Sequence, residues 1–139
     1  MKTHKISTAW TGDMAFESVV DGHSVLVDAD PEFGGKDAGP RPKALLLTAL
    51  SGCTGMDVVS ILGKMKSAPS WFNLVAEADL ADEHPKVYTE IRLAYQFKAS
   101  DGLDPKKVEK AVTLSQETYC GVSEMLRKAA KVTWTIEYL

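Results

Sequence analysis

The sequence predicts an α+β fold in which antiparallel sheets pack with one long central helix. Two observations lead to this class. Several short stretches alternate polar and apolar residues, as half-buried strands do, and one long apolar stretch of helical character interrupts them. A chain of 139 residues has the usual length of one domain, so we expect residues 1–139 to form a single domain.

The first part of the chain contains three short alternating runs, at residues 4–10, 14–20 and 24–28. Glycine and aspartate residues separate the runs, and such residues are typical of tight connections between paired strands. The N-terminal region is therefore predicted to form a three-stranded antiparallel meander.

Residues 30–42, with the sequence DPEFGGKDAGPRP, contain three prolines and three glycines, and this composition predicts a loop. The long helix is expected to begin near Pro42, because a proline in the first turn lacks only an N–H group that has no helical partner. Apolar side chains nearly encircle this helix. A small domain has too little surface to cover such a helix alone, which indicates burial against a second subunit.

The second half predicts a hairpin, two helices and a last strand, in that order: residues 72–80 and 87–97, then 105–119, 122–130 and 132–138. Asp104 and Pro105 are a strong helix start, since aspartate caps the free N–H groups and proline suits the first turn. Gly121 is expected to break the helical register between the two helices.

The composition excludes several classes of function. A net charge of -3 and an isoelectric point near 5.6 argue against a nucleic-acid partner. The first ten residues lack the apolar run of a signal peptide, and Asp57 and Lys64 interrupt the apolar stretch, which predicts a buried helix and no membrane partner. Two cysteines are too few for a disulfide scaffold, so we expect a cytoplasmic protein with reduced thiols.

Cys53 and Cys120 are the candidate reactive residues. A free cysteine is most often a small apolar core residue. However, Gly52 and Gly55 beside Cys53 each cost the helix about 1 kcal/mol relative to alanine, which indicates a close approach of backbone or ligand. Two such thiols can perform redox chemistry if they meet in space: one thiolate reacts with a peroxide to give a sulfenic acid, and the second condenses with it to a disulfide.

A reactive thiolate needs a nearby cation or a helix N-terminus to lower its pKa. Asp57, four residues after Cys53, has the wrong sign for this purpose, and Arg41 is the leading candidate for the cation. His4, His23 and His84 are scattered along the chain without the spacing of metal ligands, so we expect no metal and no cofactor.

Two segments together resemble the OsmC/Ohr family of thiol-dependent, peroxide-detoxifying proteins: GGKDAGPRPKALLLTALSGCTGMDVVSIL and LSQETYCGVSEML. The order of predicted elements is similar over essentially the whole chain, and CTGMDVVSIL points to a less characterised OsmC-like branch. The resemblance implies an intertwined homodimer with its cysteine-bearing helices at the centre. It also implies Cys53 as the peroxidatic thiol, Cys120 as the resolving thiol, and regeneration of both by a dithiol reductant.

The sequence departs from the well-studied members at two places. Its first hairpin reads TGDMAF, without the arginine that those members carry, and Lys43 stands where they have glutamate. The resemblance still predicts a reductase of organic hydroperoxides. Two alternatives stay open: a non-catalytic binding or stress protein that holds a small apolar or electrophilic ligand, and a structural protein with inert core cysteines.

Overall fold

The computed structural model describes all 139 residues, in two compact units that span Met1–Leu46 and Leu47–Leu139. The α+β class is confirmed, because two three-stranded sheets and three α-helices make up the chain. The prediction of a single domain stays a prediction.

The N-terminal unit contains the predicted antiparallel meander. Strand β1 is Ser7–Gly12, β2 is Ala15–Val20 and β3 is His23–Val27, and the strands pair in the order β1, β2, β3. Trp10 and Phe16 are cross-strand partners. The alternation of the sequence therefore placed all three strands to within a few residues.

A buried carboxylate organises the loop that follows this sheet. Asp28 is 3% exposed, and it accepts hydrogen bonds from the backbone N–H groups of Ala29, Lys36 and Ala38 at 2.8, 3.0 and 3.1 Å. These N–H groups lower the pKa of Asp28, because they stabilise its charged form. At Gly35 a Cβ atom would lie 1.7 Å from the carbonyl oxygen of Ala29, so only glycine fits this loop.

The long helix α1 is Leu45–Lys64, and it begins three residues later than the sequence suggested. The N–H groups of Leu45 and Leu46 each donate at 3.1 Å to carbonyls only three residues earlier, those of Pro42 and Lys43. A tighter turn therefore precedes the α-helix, as is common at helix N-termini.

Helix α1 fully buries one narrow face, partly buries the residues that flank it, and leaves the opposite side exposed. It is long and apolar enough to cross a membrane by length and composition, yet every fourth residue is packed into a protein core, with 22% of its span buried. The buried residues are Leu50, Thr54, Val58 and Leu62. The exposed large apolar residues are Leu46, Met56 and Val59. Helix α1 therefore has one apolar face in the core of the chain and a second apolar face that is exposed.

The second sheet contains β4 (Phe72–Leu80), β5 (Tyr88–Phe97) and β6 (Lys131–Tyr138), with β5 in the middle. Strands β4 and β5 form the predicted antiparallel hairpin. Strand β6 pairs parallel to β5, which corrects the expectation of purely antiparallel sheets. The physical reason is the long helical connection between β5 and β6, since parallel neighbours need such a crossover.

Helix α2, Pro105–Leu114, begins where the sequence predicted. Asp104 is its N-cap and accepts from the N–H group of Lys106 at 3.0 Å. The helix then widens into a π-helical turn, Ser115–Tyr119. Turns of this kind are rare, and they occur frequently at functional sites.

Helix α3 is Gly121–Arg127, so the predicted break at Gly121 lies one residue too late. The break is at Cys120, whose backbone is extended with φ -78° and ψ 98°. The Cys120 sulfur accepts from the N–H group of Ser123 at 3.4 Å and so takes the place of the usual capping oxygen. Gly121 is the first residue of the helix.

Candidate functional site

The two cysteines lie side by side in the C-terminal unit. Cys53 projects from α1 and is half-buried, whereas Cys120, between the π-helical turn and α3, is 3% exposed. Both are free thiols, and Cys53 is near enough to Cys120 to influence its titration. The structure thus brings together the two residues that the resemblance paired, although they are 67 residues apart in the sequence.

The surroundings of Cys120 favour the neutral thiol. Its pKa is raised from 9.0 to about 11, chiefly because burial penalises the thiolate. The neighbouring Cys53 and the charge of Asp57 act in the same direction, and the Ser123 N–H group acts against them. Near neutral pH Cys120 is therefore a protonated, poorly nucleophilic thiol that needs a proton acceptor before it can attack.

The glycines beside Cys53 have different surroundings. A Cβ at Gly55 would lie 3.1 Å from the Leu74 side chain on β4, so a side chain makes the close approach here rather than the backbone or ligand that the sequence predicted. At Gly52 a Cβ would meet nothing within 4 Å. Contacts within the chain therefore do not require glycine at position 52, and its surface is free to contact a ligand or another protein.

Below the thiols, a chain of polar side chains crosses the core between α1, β5, the π-helical turn and α3. Consecutive members are hydrogen-bonded to one another, and no buried side-chain nitrogen or oxygen lacks a partner. The members, in order, are Arg127, Ser123, Gln116, Tyr95, Thr54, Ser115 and Asp57.

The Asp57 end of the polar chain fixes the direction of its hydroxyl groups. A carboxylate only accepts, so the Ser115 hydroxyl donates to Asp57, at 2.8 Å. Because the single Ser115 hydroxyl proton is used in this bond, the Ser115 oxygen accepts from the Thr54 hydroxyl at 2.7 Å. Thr54 in turn accepts from the Tyr95 hydroxyl at 2.6 Å.

The Arg127 end imposes the same direction. A guanidinium only donates, so Arg127 donates to Ser123 at 2.8 Å, and Ser123 donates to the Gln116 carbonyl. The Gln116 amide then donates to the Tyr95 hydroxyl at 2.7 Å. Every bond of the polar chain therefore points from the cation toward the carboxylate of Asp57.

Arg41, the predicted activating cation, is bound within its own loop. Its guanidinium donates to Asp37 at 2.8 Å and to the carbonyl of Gly39 at 2.9 Å, and Asp30 lies 3.7 Å away. These carboxylates raise the pKa of Arg41, beginning with the Asp37 hydrogen bond. The structure shows a residue that stabilises the loop, and the activating role of Arg41 stays a prediction.

An open apolar groove runs between α1 and β4. It has a volume of about 520 Å³ and is lined by Gly52, Gly55, Met56, Val59, Ser60, Phe72, Asn73 and Leu74. Its lining is mostly apolar, and it includes neither thiol. The groove therefore offers a surface for an apolar molecule or another protein beside the site rather than a pocket around the sulfur atoms. The structure groups no three His, Cys, Asp or Glu side chains as potential metal ligands.

The sequence interpretation missed the polar chain. One signal was available: Thr54 occupies the same helical stripe as Leu50 and Val58, so a polar side chain was due to be buried on α1. Its partners, Tyr95 and Ser115, are 41 and 61 residues away in the sequence, and no local sequence pattern predicts contacts between such distant residues.

Comparison with known proteins places this fold in a family. The profile described as OsmC-like protein matches residues 34–135. Protein YhfA from Escherichia coli K12 is 34% identical over 116 residues, which cover 84% of this chain and 83% of YhfA. The level of identity and the breadth of the match indicate common descent along most of the chain.

Solved structures show the same architecture. A hypothetical protein from Aquifex aeolicus VF5 matches with a TM-score of 0.83 and 25% identity, covering 100% of this chain and 99% of that chain. The organic hydroperoxide resistance protein OsmC from Legionella pneumophila matches with a TM-score of 0.71 and 17% identity, covering 100% and 98%. The latter similarity concerns the fold alone. Together with the family profile and the YhfA match, these findings show that the chain belongs to the OsmC-like protein family.

Proposed function

We propose that this protein is a thiol-dependent peroxidase that reduces organic hydroperoxides in the cytoplasm. The observation that carries the proposal is the side-by-side placement of Cys53 and Cys120, one half-buried and one buried. The partly accessible thiol meets the hydroperoxide and the enclosed thiol resolves the product. Membership of a family whose fold is shared with hydroperoxide resistance proteins supports the same reading.

The cycle balances in three steps. The Cys53 thiol and ROOH give a Cys53 sulfenic acid and ROH, with the O–O bond broken and the sulfur oxidised. The Cys120 thiol then displaces the hydroxyl group of the sulfenic acid, which gives a Cys53–Cys120 disulfide and water. A dithiol reductant finally exchanges with this disulfide, restores both thiols and leaves as its own disulfide.

Titration with peroxide tests the proposal. One equivalent of cumene hydroperoxide is expected to remove two hydrogens from the reduced protein, and peptide mapping should join Cys53 to Cys120. In Cys120→Ser the same treatment is expected to add one oxygen, at Cys53, which dimedone then traps. Mass spectrometry reads both results. Unchanged thiols in the wild-type protein would contradict the proposal and favour a binding function.

The binding alternative has a specific observation in its favour. Asp57 is a carboxylate beside the thiol pair, whereas an activated thiolate is usually accompanied by a cation. The groove of about 520 Å³ next to α1 is large enough for a small apolar ligand. A non-catalytic member of the family would therefore bind an apolar or electrophilic ligand there without oxidation of the cysteines.

We further propose that the protein is a homodimer in which the uncovered face of α1 packs on a second copy. Leu46, Met56 and Val59 are 46, 75 and 49% exposed in one chain, which is unusual for three large apolar residues on one helix. Sedimentation velocity is expected to show a dimer.

Substitution of Gly52 tests this interface. In an isolated chain Gly52→Ala is expected to stabilise α1 by about 1 kcal/mol, because alanine favours helix and meets no atom of its own chain. In a dimer packed through this face, the added methyl group should instead weaken association. Gly63→Ala adds the same methyl group eleven residues further along the same face of α1, which also carries Met56 and Val59, so it should weaken association as well. A monomeric wild-type protein, or equal gains for both variants, would rule out the proposed interface.

A further inference from the structure

The polar chain ends on the segment that carries Cys120. Ser115 makes two hydrogen bonds there: its hydroxyl donates to Asp57 at 2.8 Å, and its carbonyl accepts from the Cys120 N–H group at 2.7 Å. Asp57 lies one helical turn after Cys53 on α1, so the two side chains share a face of that helix. Ser115 thus joins the backbone of one cysteine to the helix that bears the other.

This junction is unusual because the π-helical turn has little else to hold it. Its exposed residues are Glu117, Thr118 and Tyr119, so only Ser115 and Gln116 are buried. Both of these residues belong to the polar chain. Cys120, which directly follows the turn, is itself packed in the apolar core, but the turn that leads to it is held by the hydrogen bonds of these two residues.

The one-way direction of the polar chain strengthens this dependence. Each hydroxyl has its single proton committed to the next member, so no member can rotate to a different partner without leaving a buried group unpaired. With a cation at one end and a carboxylate at the other, the arrangement has only one satisfied state.

From this geometry we infer that Asp57 and Ser115 are positioning residues for disulfide formation, which hold Cys120 against Cys53 through the Asp57–Ser115 hydrogen bond. The inference rests on the proposed function and adds to it, because it names the residues that make the two thiols reactive toward each other. Asp57 also places a negative charge near Cys120. Its geometric and electrostatic effects are separable by substitution.

The charged and titratable groups around Cys120 are few. Cys53 and Asp57 face it from α1 and Tyr95 faces it from β5. On α3, Arg127 is held by Ser123 and by Glu124, the latter at 2.6 Å. Removal of the Asp57 charge is therefore the simplest change that alters the electrostatics at Cys120 without a change in burial.

The experiment measures the equilibrium of the reduced protein with oxidised glutathione, in which two protein thiols and one glutathione disulfide give the Cys53–Cys120 disulfide and two glutathione thiols. Ser115→Ala and Asp57→Ala each remove the same hydrogen bond from opposite sides. Each is expected to lower the equilibrium constant about tenfold, since a hydrogen bond to a charged group is lost. Asp57→Asn keeps an acceptor oxygen and should stay within about threefold of the wild type.

Val112→Ala is the matched control for general destabilisation. Val112 is fully buried on α2 but is not a member of the polar chain. The equilibrium constant of Val112→Ala for disulfide formation with glutathione is expected to stay near that of the wild type. An equal fall in Val112→Ala and Ser115→Ala would overturn the inference, since loss of stability alone would then account for both. If the wild-type protein forms no Cys53–Cys120 disulfide, the proposed function fails and the inference fails with it.

A pH profile provides the second measurement, in a Cys53→Ser background in which only Cys120 reacts with iodoacetamide. Asp57→Asn is expected to move the profile of alkylation to lower pH by about half a unit, because a nearby negative charge opposes the thiolate. A purely structural role of Asp57 would leave the profile unmoved, and that result would restrict Asp57 to its hydrogen bond.

Discussion

Cys53→Ser is expected to lower turnover of cumene hydroperoxide by at least about a thousandfold, because a serine hydroxyl cannot take the place of the attacking thiolate. Cys53 is the more accessible of the two thiols, and it lies on the helix whose outer face adjoins the apolar groove. Turnover is measured as peroxide-dependent oxidation of a dithiol such as dihydrolipoamide or dithiothreitol. The far-UV circular dichroism of the variant should match that of the wild type.

Cys120→Ser separates attack from resolution. This variant is expected to consume one equivalent of hydroperoxide at close to the wild-type rate and then to turn over slowly, because the sulfenic acid waits for an external thiol. A burst of one equivalent in Cys120→Ser and none in Cys53→Ser would assign the two roles. Equal activity in wild-type and Cys53→Ser protein would show that Cys53 is not the attacking group.

Local patterns in the sequence predicted most of the elements. Alternation placed β4 at Phe72–Leu80 without error, because a half-buried strand must repeat with period two. Asp104 and Pro105 located the start of α2, since capping involves only neighbouring residues. The paired cysteine segments then identified the family, and Cys53 lies near Cys120 in the structure, whereas the roles that the resemblance implied for them stay predictions.

Strand pairing and side-chain contacts could not be predicted from local sequence patterns in the same way. Nothing near Lys131–Tyr138 reveals that this strand pairs parallel to β5, because pairing depends on the path of the helices between them. Asp30 and Asp37 are near Arg41 in the sequence, but an irregular loop has no regular period that predicts which of its side chains meet. The sequence therefore shows that Arg41 is a cation, but it does not show that Arg41 is ion-paired with these two carboxylates.

The stability of the fold is expected to fall between about pH 9 and pH 11 through the titration of Cys120. In the folded chain its pKa is about 11, against 9.0 ordinarily, so the unfolded chain loses this proton first. The stabilising contribution is complete below pH 9 and disappears as the pH rises to the folded value. The loss amounts to about 2 kcal/mol, slightly less than two pKa units imply, because residual solvent screens part of the effect.

Denaturant unfolding of wild-type protein and of Cys120→Ala, at intervals from pH 8 to pH 11, isolates this contribution. All other ionisable groups are the same in both proteins, so most of their contributions cancel in the difference between the two free energies of unfolding. That difference should shrink by about 2 kcal/mol as the pH rises, since only the wild-type chain has a thiol to ionise at this position. A difference that is constant with pH would mean that the Cys120 thiol ionises as readily in the folded chain as in the unfolded one. The account of a Cys120 pKa raised by burial would then need revision.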